Sequence, residues 1–255
     1  AALLLLFELH HNGAGGHSGV GGRERRAVGS GSPGRLRARV LARRVIAALL
    51  GVLGVIAACL ANPDLDRITQ IALERYGVDA GEAVGLWRAL VEENRDLPEL
   101  EKLELVNTFF NHSVDFEPDP VVWGRTDYWA TPLETLGRGQ GDCEDFSIAK
   151  YVTLGLLGVP LERLRITYVR AETGLPGSGI VQAHMVLAYY PAPGVEPLIL
   201  DNLIGQLRPA SRRPDLKPVF GFNSQGLWVA GKKASADPTA RLSRWIGNIL
   251  DMVRI

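Results

Sequence analysis

Apolar residues recur at helical spacing from Leu65 to His112. In LDRITQIALERYG, Ile68, Ile71, Ala72 and Tyr76 fall at i, i+3, i+4 and i+8, and Gly77 supplies a stop. AGEAVGLWRALVEEN sets Val84, Trp87, Leu90 and Val91 on one face, and LPELEKLELVNTFFNHSV aligns Leu100, Leu103, Val106, Phe109 and Phe110. These stripes predict three core-facing helices that carry no chemistry of their own. The next stretch, DFEPDPVVWGRTDYWATPLETLGRGQ, is broken by Pro, Gly and Asp and reads as an irregular loop, which Trp123, Tyr128 and Trp129 would pin to the body. Asp142 then opens a helix, DCEDFSIAKYVTLGLLG, with Phe146, Ala149, Lys150 and Thr153 at helical spacing. Asp is a favoured N-cap, and acids in the first turn suit the helix dipole.

After Pro160 the period shortens. LRITYVRA, AHMVLAYY and EPLILDNL read as three strands, joined by ETGLPGSGIVQ and by PAPGVE, the second short enough for a hairpin. RLSRWIGNILDMVRI near the end predicts an amphipathic helix through Leu242, Trp245, Ile246, Ile249, Leu250 and Val253, most simply packed on the body. No internal repeat is present. Helices first, then antiparallel strands, define an α+β class rather than alternating βαβ units.

Charge changes the picture at the N-terminus. The 255 residues carry 28 basic and 28 acidic side chains, but residues 1–61 hold eight Arg against two Glu, so the remainder has 20 basic and 26 acidic groups, a net of −6. A mildly acidic body gives no sign of a nucleic-acid surface. Residues 1–34, rich in Gly and Ser, read as disordered or as an upstream segment outside the folded unit. Residues 35–61 combine RLRARVLARR with the apolar run VIAALLGVLGVIAACLA, the pattern of a signal peptide or of a retained anchor, with a membrane tether through 45–61. Ile56-Ala57-Ala58-Cys59 also fits a lipoprotein signal, and the flanking Arg cluster points to export of the chain beyond the apolar run. Residues 62–255 then form one domain of ordinary size.

An exported domain would carry Cys143 without a disulfide partner. Its neighbours are hostile to a thiolate: GQGDCEDF sets Asp142, Glu144 and Asp145 around it, whereas catalytic thiols are activated by positive charge, His or a helix N-terminus. Either the thiol is inert or something positive sits there. A Cys nucleophile needs a base and a group to orient that base. Residues 62–255 hold two His, His112 at a helix end and His184 at a predicted strand start. Asp201 ends the next predicted strand, so a hairpin through PAPGVE would bring His184 and Asp201 to one sheet edge. A helix start packed there would complete Cys143–His184–Asp201.

DYWATPLE, GQGDCEDFSIAKY, AHMVLAYY and LILDNL resemble the bacterial transglutaminase-like cysteine proteinases, most nearly the LapG-type periplasmic proteases, over roughly Arg67 to Trp245. The resemblance implies a papain-like, transglutaminase-like fold with the nucleophile helix on an antiparallel sheet. It places the nucleophile, base and orienting acid on Cys143, His184 and Asp201. It also implies calcium as cofactor, held by Asp142 and Glu144, with Asp145 a further candidate ligand. A cation there would relieve the acidic surroundings of the thiol. The same resemblance implies cleavage of a large repeat adhesin near its N-terminus at paired Ala, release of biofilm cells, and sequestration by an inner-membrane cyclic di-GMP receptor of the LapD type. Backbone N–H groups at the helix start, or a side chain near Trp129, would serve the oxyanion. A transglutaminase or amidase on the same triad, and a non-catalytic calcium-dependent adaptor, remain open alternatives.

Overall fold

The computed structural model describes residues 65–174, 179–229 and 232–233. The expected signal or anchor segment, the Gly-rich stretch before it and the amphipathic helix at the C-terminus lie outside the described residues.

The three expected helices are α1 (Leu65–Tyr76), α2 (Val78–Glu93) and α3 (Glu99–Ser113). Gly77 separates the first two at φ 97, a conformation that side-chain-bearing residues avoid. Val84, Trp87 and Val91 of α2 are fully buried, as are Leu103, Val106 and Phe110 of α3. Leu100, in the first turn of α3, departs from its expected stripe and is 51% exposed.

The stretch expected to be irregular contains structure. A two-residue strand β1 (Asp115–Phe116) pairs in parallel with β2 (Gln140–Gly141), and a short α4 (Asp119–Val122) and α5 (Pro132–Arg138) lie between them. The start of α5 is written in TPLE: the Thr131 hydroxyl accepts from the Glu134 backbone N–H, and Glu134 accepts from the Thr131 backbone N–H at 2.9 Å. Such a capping box with Pro at the first helical position is a local start signal. Gly139 ends α5 in the left-handed conformation at φ 64.

Helix α6 (Cys143–Leu156) is the centre of the molecule. Ile148, Ala149, Tyr151, Val152 and Leu154 are all at most 1% exposed, so the helix is buried around its circumference, with Asp145, Lys150 and Thr153 as polar residues inside that shell. Trp87 of α2 packs against it and donates its indole N–H to Thr153 Oγ1 at 2.8 Å. Burying one such side chain contributes roughly 2–3 kcal/mol.

Against α6 stands a seven-stranded sheet in the order β6-β5-β4-β3-β7-β8-β9. Its strands are β3 (Leu164–Glu172), β4 (Val181–Tyr189), β5 (Leu198–Leu200), β6 (Arg208–Pro209), β7 (Leu216–Asn223), β8 (Gly226–Val229) and β9 (Lys232–Lys233). β3 and β4 match the expected strands and pair antiparallel from Leu164↔Tyr189 to Glu172↔Val181. EPLILDNL yields only three strand residues, and pairing with β4 runs from Tyr189↔Leu198 to Leu187↔Leu200. The chain then leaves the sheet at Asp201. β7 and β8 were not apparent in the sequence because KPVFGFNSQG mixes Pro and Gly with its apolar residues. The expected α+β architecture, with the Cys143 helix on an antiparallel sheet, is present.

Candidate active site

Cys143 is the first residue of α6, and Asp142 precedes it in extended conformation as the N-cap. Asp145, fully buried, braces this turn: Oδ2 accepts from the Asp142 N–H at 3.4 Å, and Oδ1 accepts from the Ala130 N–H at 2.7 Å. The nucleophile helix is thereby tied to the loop before α5. Gly141 is required beside it, since an added Cβ would lie 2.8 Å from Asp145 Oδ2. Asp145 therefore has a structural role besides its expected one as a ligand.

The thiol is half-buried and unpaired. Its Sγ–H donates to Glu144 Oε2 at 3.1 Å. Burial, then the charges of Glu144 and Asp142, push the Cys143 thiol well above its ordinary range, and a hydrogen bond from the Met185 backbone opposes them. As it stands, the local field keeps the sulfur protonated. The hostile setting expected from the sequence is present in the fold.

His184 is the fourth residue of β4, not its first. Continuing the β4–β5 register by one residue sets Asp201 opposite Val186, hence diagonal to His184 on the same face. The two side chains meet: His184 Nε2 lies 2.8 Å from Asp201 Oδ1. His184 is 3% and Asp201 1% exposed. Burial alone would raise the Asp201 carboxyl, but bonds from His184, the Leu203 N–H and Arg213 hold it down at about 2. An ionised carboxylate can only accept, so Nε2 carries the proton and Nδ1 of a neutral ring is free to act as base. The Cys143 thiol reaches β4 at the backbone of Met185, the residue next to His184. Among the described residues, however, the thiol proton goes to Glu144 rather than to the imidazole. Catalytic hydrogen bonds often tighten only with substrate in place.

Arg213 was not singled out by sequence reasoning. It is 2% exposed, and Nη2 donates to Asp201 Oδ2 at 2.7 Å and to Asp215 Oδ2 at 2.8 Å. In SRRPD it looks like one of two surface arginines, and no local signal marks it. His112 lies away from this constellation; it is exposed and bonded to the Thr108 carbonyl of its own helix. The Trp129 indole N–H is taken by Asp127 Oδ1 at 3.0 Å, so it does not serve as an oxyanion donor in this arrangement. The backbone N–H groups at the start of α6 are the other donors expected for that role.

The acids around Cys143 converge with two from the preceding loop. Carboxylate oxygens of Asp119, Asp142 and Asp145 lie within 4.8 Å of one another, as do those of Asp119, Asp127 and Glu144, and Asp142 and Glu144 group likewise with the Cys143 sulfur. Asp119 is 3% exposed, and its Oδ2 accepts from the Tyr128 N–H, folding the loop back on itself. Burial, then neighbouring negative charge, pushes Asp142 up to about 10; burial is also the main cause that raises Asp145 to about 8 and Asp119 to about 6. Asp119 Oδ1 and Asp142 Oδ1 are buried without a hydrogen-bond partner. Buried carboxylate oxygens seldom stand alone, and an all-oxygen, multiply acidic donor set fits a hard divalent cation such as calcium. Asp119 and Asp127 were absent from the expected ligand set because EPDP and GRTDYW read as loop punctuation.

A buried His–Asp pair beside a cysteine at a helix N-terminus, on a helix packed against an antiparallel sheet, defines a cysteine hydrolase of the papain and transglutaminase type. The family model for bacterial transglutaminase-like cysteine proteinases matches residues 89–214. Among solved structures, LapG of Legionella pneumophila is 40% identical, with a TM-score of 0.62, and the match covers 74% of this chain and 97% of that one. Its calcium-bound form gives a TM-score of 0.63 and is covered over 98% of its length; the EGTA-treated form also gives 0.63. Comparison with curated proteins gives no match. The chain belongs to the bacterial transglutaminase-like cysteine proteinase family and is a LapG-like cysteine protease.

Proposed function

We propose that this protein is a calcium-dependent periplasmic endopeptidase that cuts the N-terminal region of a large surface adhesin at paired Ala and so releases cells from a biofilm. The observation that carries the calcium reading is the pair of buried, unpartnered oxygens on Asp119 and Asp142 beside the thiol. The calcium-bound state of the 40% identical Legionella LapG supports it. Asp142, Glu144 and Asp119 would hold the ion, with Asp145 and Asp127 adjoining. When bound, the ion supplies positive charge where crowded carboxylates otherwise disfavour a thiolate.

The remaining chemistry belongs to side chains. His184 Nδ1 takes the Cys143 proton, and Asp201 keeps the ring oriented and stabilises the imidazolium. The thiolate attacks the scissile carbonyl, and amides at the start of α6 face the developing oxyanion. His184 returns the proton to the leaving amine. Water, deprotonated by the same imidazole, then hydrolyses the acyl-enzyme.

The periplasmic assignment rests on the Arg-flanked apolar run at 45–61. Among the described residues no helix is long and apolar enough to cross a membrane. Control by an inner-membrane cyclic di-GMP receptor is part of the same reading and rests on the family resemblance. The test incubates the full chain with an adhesin N-terminal fragment containing paired Ala, with calcium, with EGTA, and as Cys143→Ala with calcium. Cleavage in the first sample alone is the expected result. Equal cleavage in all three overturns the reading.

A further inference from the structure

Lys150 is 1% exposed and lies two turns beyond Cys143 on α6. The triad and the acidic cluster do not include it. Its ammonium donates to Asn107 Oδ1 at 2.8 Å and to Asn111 Oδ1 at 2.7 Å, both on α3. We propose that Lys150 is a positioning residue for Asp201: through Asn107 and Asn111 it fixes the segment carrying the acid against the helix carrying the nucleophile. This rests on the Cys143–His184–Asp201 triad of the proposed function.

The geometry has a direction imposed by chemistry. An ammonium can only donate, so both carboxamide oxygens must face it. Each amide NH₂ is then turned away, toward the chain that leaves β5. Asn111 Nδ2 donates to the Asp201 carbonyl at 2.8 Å, and Asn107 Nδ2 donates to the Gly205 carbonyl at 2.7 Å. Both ends of the 201–205 segment are held in this way, and the Leu203 N–H closes it on Asp201 Oδ1 at 3.0 Å. The segment is outside the sheet and has no strand partners to fix it. Without the cation, either amide could turn over and present an oxygen to a carbonyl.

A site that needed only packing would hold Leu or Met. Burying a cation beside neutral amides is costly. Burial lowers the Lys150 pKa to about 7, with the charge of Asp201 acting in the opposite direction. A group kept at that cost, touching two amides that each reach the acid segment, is accounted for by positioning.

The test compares the calcium-loaded full chain with Lys150→Met, which keeps length and loses the donor, and Asn111→Asp, which still accepts from Lys150 but cannot donate to the Asp201 carbonyl. Urea unfolding, kcat and KM on the adhesin fragment, and the pH profile of Cys143 alkylation by iodoacetamide are measured. Both variants are expected to lose roughly tenfold in kcat with KM within about twofold, as for displaced catalytic groups, and to shift the alkylation profile to higher pH. Unchanged kcat and unchanged alkylation profile in Asn111→Asp overturn the proposal, whatever happens to stability. Should Lys150→Met not fold, Asn111→Asp decides alone. A wild-type chain that cuts no fragment counts against the proposed substrate, and the alkylation profile still decides whether the clamp acts on the thiol.

Discussion

Arg213 closes the side of Asp201 that His184 leaves open: Nη2 stands 2.7 Å from Oδ2, while His184 Nε2 stands 2.8 Å from Oδ1. Both oxygens of a fully buried carboxylate are thus engaged by cationic or ring donors, and its orientation is fixed in two directions. Replacing Arg213 by Met leaves the acid with one of these partners. Breaking a buried pair from one side costs about 3–5 kcal/mol, so the urea midpoint should fall sharply. Arg213→Lys keeps the charge but loses the planar fork and should fall between the two.

Acid stability depends on the same carboxylate. Asp201 is held at about 2 in the folded chain, against an ordinary value near 3.8. A depressed acid adds stability above its unfolded pKa and loses it as pH falls through the folded one. The contribution should therefore disappear between about pH 4 and pH 2, and is roughly 2 kcal/mol at neutral pH. Unfolding measured across that window should show a shallower slope in Asp201→Asn than in the wild type.

Glu144 Oε2 accepts from the Cys143 thiol, whose sulfur is 3.1 Å away, and adds negative charge beside it. In the presence of EGTA, Glu144→Gln should lower the pH at which iodoacetamide alkylates Cys143, because one charge opposing the thiolate is gone. With calcium present the variant should react more slowly than the wild type at pH 7, having lost a ligand. An alkylation profile that Glu144→Gln leaves unchanged in EGTA would show that this carboxylate does not govern the thiol.

Asp119, distant in sequence from the GDCED block, contributes a buried unpartnered oxygen to the acidic cluster. Asp119→Asn should weaken calcium binding about tenfold or more, which removes roughly 1.4 kcal/mol of calcium-dependent stabilisation at saturating ion. For a domain of this size that is a loss of about 3–5 °C from the calcium-induced rise in Tm, read by thermal unfolding with calcium and with EGTA. The wild-type rise should itself be larger at pH 8 than at pH 5, since the ion competes with protons for these carboxylates.

Much of the scaffold was legible in the chain. The 3.6-residue stripes located α1 to α3, the Asp-led turn located the start of α6, and alternating residues located β3 and β4. The PAPGVE connection was enough to set His184 near Asp201, because a short antiparallel return brings the facing ends of neighbouring strands together. The α5 helix was missed although TPLE carries its capping box, since flanking Pro and Gly obscured it. β7 and β8 were missed because strand pairing, not local composition, holds them in the sheet.

The chain's own pattern therefore determined the helices, the central hairpin and the nucleophile at a helix start, all of which depend on neighbours a few residues apart. Tertiary structure decided what surrounds the site: Arg213 on Asp201, Asp119 beside Asp142, and Lys150 bound through two amides to the acid segment. Periodicity and capping are read over one or two turns of chain. The partner of a buried charge is chosen by which distant segment the fold returns to it, and in this protein Lys150 lies 39 and 43 residues from the two Asn side chains that face it.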